Sequence, residues 1–84
     1  MTYPIVVLQD RYSGVYSGGD WLAVAGATDS MDDGKTRIDF CLNADEGPSG
    51  SDIEAATFRV DSPSWIAVGT TPDEALAKLR NALK

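Results

Sequence analysis

The segment Thr71-Pro72-Asp73-Glu74 most constrains the fold, because it marks where a helix begins and therefore what the rest of the chain must cover. Thr71 is an N-cap candidate, Pro72 takes the first helical position, and Glu74 stands where a capping box needs its acid. Asp73 and Glu74 suit the positive end of the helix dipole, and Lys78, Arg80 and Lys84 suit its negative end. Ala75, Leu76, Leu79, Ala82 and Leu83 form one apolar stripe. The spacing predicts a helix over about 72–83. Its stripe must lie on something, and the remaining sequence offers a sheet.

Ile5 to Gln9 is short, apolar and β-branched, and predicts a strand with Pro4 at its entry. Trp21 to Ala25 predicts a second. The connection between them contains Tyr-Ser-Gly twice and the pair Gly18-Gly19, so the two runs read as an antiparallel hairpin. Asp33-Gly34 marks a tight turn. In Thr36 to Leu42, Ile38, Phe40 and Leu42 alternate with Arg37, Asp39 and Cys41, which predicts a half-buried strand. Asn43 to Asp52 reads as a loop. Ala55 to Val60 predicts another strand, with Phe58 and Val60 on one face, and Ser64 to Val68 a fifth. The expected fold is a single α+β domain over residues 1–84. It has an antiparallel sheet of four to five strands and one C-terminal helix.

Charge is distributed unevenly along the chain. Residues 29–54 hold eight of the thirteen acids, Asp29, Asp32, Asp33, Asp39, Asp45, Glu46, Asp52 and Glu54. Lys35 and Arg37 alone oppose them, so this segment carries −6, the net charge of the whole chain. Such a field repels nucleic acid and favours basic partners. The rest of the composition is ordinary for a folded protein, 43% apolar and 24% charged. No apolar run approaches the roughly 20 residues that cross a bilayer, and no secretion signal opens the chain. The expectation is a cytoplasmic protein made without processing. With one cysteine, Cys41, no internal disulfide forms. A domain of 84 residues without a staple gains from a homodimer or from docking on a larger partner.

The chain has no histidine. That removes Ser-His-Asp and Cys-His catalysis, and histidine-containing zinc sites. Cys41 has no partner base and reads as a half-buried structural residue. Asp29, Asp32 and Asp33 miss the alternating ligand spacing of a calcium loop. Asp45-Glu46 and Asp52-Glu54 are carboxylate pairs with nothing to raise a pKa. The glycine-rich connection lacks the lysine of a phosphate loop. The expectation is a non-enzymatic binding protein with no cofactor and no metal. Its contact residues are Asp29, Asp32, Asp33, Asp45, Glu46, Asp52 and Glu54, joined by an aromatic anchor of Tyr12, Tyr16 and Trp21. Solubility alone also accounts for acidic loops.

Two resemblances bear on the partner. The stretch from Gln9 to Trp21, QDRYSGVYSGGDW, looks like the opening of small proteins of phages and mobile elements. In size, acidity and lack of catalytic residues the chain is similar to anti-CRISPR proteins. That likeness implies an inhibitor in the host cytoplasm, whose carboxylates copy a phosphate backbone and block the DNA-binding surface of a Cas effector. The stretch from Trp65 to Leu79, WIAVGTTPDEALAKL, is similar to the strand-turn-helix of HicB-type antitoxins, where a GxTxxEAL pattern opens the helix. That likeness implies a toxin-neutralising module that binds a small basic ribonuclease. Both imply a basic, nucleic-acid-binding protein or complex as partner.

Overall fold

The computed structural model describes residues 3–15, 18–31, 33–44, 46–60 and 63–82. Three strands, β1 (Val6–Gln9), β2 (Trp21–Val24) and β3 (Ile66–Gly69), form an antiparallel sheet in the order β1-β2-β3. Val6 faces Val24 and Leu8 faces Leu22 across the first pair; Leu22 faces Val68 and Val24 faces Ile66 across the second. Between β2 and β3 the chain forms α1 (Arg37–Leu42), a 3-10 turn (Gly47–Ser49) and α2 (Asp52–Val60). It ends in α3 (Pro72–Ala82). Among the described residues, no helix is long and apolar enough to cross a membrane.

Strand alternation divides the core into two layers. On one face, Leu22, Val24 and Ile66 pack with Ala27 and Cys41, flanked by Ile38, Phe40 and Phe58. On the other, Ala23 and Ala25 meet Ala75 and Leu79 of α3, flanked by Val7 and Trp21. The alanines on that second face let α3 approach closely. Gly69 sets the limit of that approach, since a Cβ there would come within 2.8 Å of Ala75 Cα.

The sheet therefore has three strands, not the four to five expected, and two further segments are helical. Thr36 to Leu42 alternates in sequence, yet from Arg37 on it is α1. Cys41 is fully buried and Leu42 is 61% exposed, the reverse of the strand expectation. Thr36 caps this helix, its hydroxyl accepting the Asp39 N–H at 3.2 Å. Ala55 to Val60 belongs to α2, where Phe58 packs on the core while Val60 is 87% exposed. Ser51 caps it: its hydroxyl accepts the Glu54 N–H at 3.4 Å and its carbonyl the Ala55 N–H at 2.9 Å.

The β1–β2 hairpin and the C-terminal helix form as their sequences predict. Thr71 Oγ1 accepts the Glu74 N–H at 3.1 Å. The return contact reaches one residue beyond the cap, as Glu74 accepts the Thr70 N–H at 3.2 Å and the Thr70 hydroxyl at 3.0 Å. Of the predicted stripe, Ala75 and Leu79 are buried, Leu76 is half-buried and Ala82 is exposed; Leu83 lies outside the described residues.

Candidate functional site: the acidic layer

The acidic segment becomes one structural layer. α1, the 3-10 turn and α2 cover the face of the sheet opposite α3, through Ile38, Phe40, Cys41 and Phe58. Two aromatic contacts join the layer to itself and to the sheet. Phe40 and Phe58 lie 5.6 Å apart between ring centroids, and Phe40 meets Trp65 edge-on at 6.4 Å. Gly47, at φ +67°, passes directly under the Phe40 ring, where a Cβ would come within 2.7 Å of it.

Two cations, Lys35 and Arg37, pair with acids of the segment. Lys35 Nζ lies 2.6 Å from Glu46, tying the Ser30–Thr36 bridge to the start of the 3-10 turn. Arg37 lies 3.8 Å from Asp29, donates to the Ala25 carbonyl at 2.9 Å, and stacks over Trp65 at 5.1 Å. Asp29 and Glu46 are thus half-buried ion-pair partners. Asp33 sits in the expected turn, its carboxylate accepting the Lys35 N–H at 3.0 Å. Asp33 and Glu46 meet around Lys35. Asp39, Asp52 and Glu54 are exposed, the last two in the first turn of α2, where the helix dipole favours them. Asp32, Asp45 and Tyr16 lie outside the described residues.

The two described aromatics of the expected anchor fall on different sides of the sheet. The Tyr12 hydroxyl donates to the Gly50 carbonyl, on the side of the acidic layer. Arg11 stacks on the Tyr12 ring at 5.2 Å and donates to the Ser49 carbonyl at 2.6 Å. Sequence reading gave Arg11 no role; with Tyr12 it fastens the β1–β2 connection to the 3-10 turn. Trp21 instead packs with the cluster under α3. Asp10, buried at the end of β1, accepts the N–H groups of Tyr12 at 3.2 Å and Gly14 at 2.7 Å, which closes the connection.

The titratable groups with resolved shifts have plain causes. Burial pushes the Cys41 thiol up to about 12, so it stays protonated. The Thr70 N–H, then the Thr70 hydroxyl, then Lys78 hold the Glu74 carboxyl below its ordinary range. Neither shift produces a group poised near neutral pH. Among the described residues, no three Asp, Glu or Cys side chains gather as a metal-binding group. What the arrangement offers is a set of exposed carboxylates, Asp33, Asp39, Asp52 and Glu54, carried by the segments of a packed layer, with Lys35 and Arg37 already engaged.

Comparison with protein-family models, with curated proteins and with solved structures finds no match.

Proposed function

We propose that the chain is a non-enzymatic binding protein that neutralises a basic, nucleic-acid-handling partner through the acidic layer. One observation carries the reading: the segment that holds the whole net charge forms one side of the sheet, while α3 covers the other. Exposed carboxylates on one side attract a cationic groove, speed encounter and align the partners. Because Lys35 and Arg37 already pair with Glu46 and Asp29, Asp33, Asp39, Asp52 and Glu54 are left to face the partner.

A toxin-neutralising role of the HicB type is favoured by the segment from Gly69 to Leu76. Each named residue of its GxTxxEAL pattern has its own place in the strand-turn-helix. Gly69 admits the helix, Thr71 caps it, Glu74 clamps Thr70, Ala75 is buried against the sheet, and Leu76 is half-buried. The partner in this reading is a small basic ribonuclease. A Cas effector, with the carboxylates standing in for DNA phosphates, is the rival partner.

Two assays separate them. One measures RNA cleavage by a small basic ribonuclease encoded beside this gene; the other measures target-DNA binding by a guide-loaded Cas effector of the same host. Stoichiometric protection of RNA supports the antitoxin reading, and loss of DNA binding supports the Cas reading. Inhibition unchanged when Asp33, Asp39, Asp52 and Glu54 are replaced by amides refutes the role of the acidic layer in either.

A further inference from the structure

The outermost ridge of α2 is apolar. Ala55 and Phe58 turn to the core. At about 100° per residue, Ile53 and Val60 then lie on the opposite side of the helix, two turns apart. Ile53 is 78% exposed and Val60 87%, the two highest values among the described large apolar side chains. Half-buried Ala56 and exposed Thr57 sit between them, small enough to let a second helix approach. A solvated helix face is ordinarily polar, so covering this ridge with an apolar surface is favourable.

The charges beside the ridge select what covers it. Asp52 and Arg59 stand on one flank, seven residues apart, the acid in the first turn and the base in the last. Both are exposed. A two-fold axis that packs two copies of α2 antiparallel, ridge on ridge, sets each flank against the same flank of the other copy with its ends exchanged. Ile53 then meets Val60 of the second copy, and Asp52 meets Arg59 of the second copy, each contact occurring twice. Each helix N-terminus also lies beside the other C-terminus, which the dipoles favour. A parallel pairing sets Asp52 on Asp52 and Arg59 on Arg59. A surface carrying cations alone attracts Asp52 but repels Arg59. The ridge and its flank thus complement a second copy of themselves.

We infer that α2 is the face through which two copies of this chain associate, antiparallel across a two-fold axis. Two nine-residue helices cover less than the roughly 1,200 Å² of a standard interface, so the association is weak and reversible, with a Kd on the order of 100 µM. The inference goes beyond the binding role proposed above and does not depend on it. Asp33, in the turn before Lys35, and Asp39, on α1, take no part in the contact.

The test is sedimentation equilibrium of the protein alone, at concentrations spanning that Kd. The expected mass rises from monomer to dimer. Ile53→Ser combined with Val60→Ser holds the protein monomeric with its circular dichroism unchanged, because both side chains are in solvent. Asp52→Arg weakens association roughly tenfold, and so does Arg59→Asp, since each turns two attractive contacts repulsive. These two variants, mixed, associate with each other, and both exchanges in one chain restore wild-type strength. Glu54 lies on the other flank, where the pairing brings no described cation, so Glu54→Gln does not weaken the dimer. A wild type that stays monomeric throughout overturns the inference. So does a dimer that survives the serine pair, which places the interface elsewhere. Failure of the mixed variants and of the double exchange to associate overturns it as well, and so does loss of the dimer in Glu54→Gln.

Discussion

Replacing Thr57 by Ala decides between a helix and a strand at α2 by the sign of its effect. Thr57 is exposed in the middle of α2. In a helix the exchange removes a β-branched residue and gains roughly 0.5 kcal/mol of propensity. In a strand it loses up to about 1 kcal/mol. For a domain of this size, 1 kcal/mol moves the midpoint by about 4–8 °C. The expected shift is therefore a rise of about 2–4 °C, against a fall of up to about 8 °C for a strand. Phe58→Ala supplies the companion measurement. Full burial of a phenylalanine makes its loss cost about 3–5 kcal/mol; Phe58 is half-buried but pairs with Phe40. The expected loss is roughly 2–3 kcal/mol. Thermal unfolding followed by circular dichroism, with urea titration read by tryptophan fluorescence, measures both. A lowered midpoint for Thr57→Ala refutes the helical assignment and the layer built on it.

Other consequences follow from single residues. Gly69→Ala drives a methyl into the backbone of α3 at Ala75, and costs about 1–3 kcal/mol in urea unfolding; a neutral result contradicts the close approach of β3 and α3. Cys41 resists a thiol reagent at pH 8 in the native protein and reacts fully in guanidinium, because it is buried and its thiol is pushed up to about 12; rapid native labelling contradicts its burial. The advantage of wild type over Glu74→Gln is complete above pH 4.5, the ordinary value of Glu74, and fades as pH falls through its lowered folded value. An advantage that persists at lower pH contradicts the Thr70 contacts.

The three strands and α3 were legible because their local signals agreed with their surroundings. Apolar runs flank a glycine-rich connection at β1 and β2, and proline, acids and an apolar stripe converge at α3. The middle of the chain misled for a physical reason. Over six residues, Ile38, Phe40 and Leu42 satisfy period two, yet Ile38 and Cys41 also share a helical face. Leu42 and Val60, which a strand would bury, sit in solvent at helix ends. The signal that resolves the ambiguity was present three times. Thr36-x-x-Asp39, Ser51-x-x-Glu54 and Thr71-x-x-Glu74 have the same N-cap spacing, and all three open helices. Only at the last do a proline and a long apolar stripe reinforce it. At the candidate site, the clustering of acids was visible in sequence. Their pairing was not: Lys35 finds Glu46 and Arg37 finds Asp29 only once the chain has folded back around α1. Arg11 had no sequence signal, since its surroundings come from segments distant in the chain.

The most direct measurement is the salt dependence of affinity for the inhibited partner, ribonuclease or Cas effector. It compares wild type with a variant in which Asp33, Asp39 and Asp52 become Asn and Glu54 becomes Gln. If carboxylates on one face hold the partner, wild-type affinity falls steeply with added salt and the variant binds weakly with a shallow slope. Matching affinities and slopes for the two proteins would contradict the account.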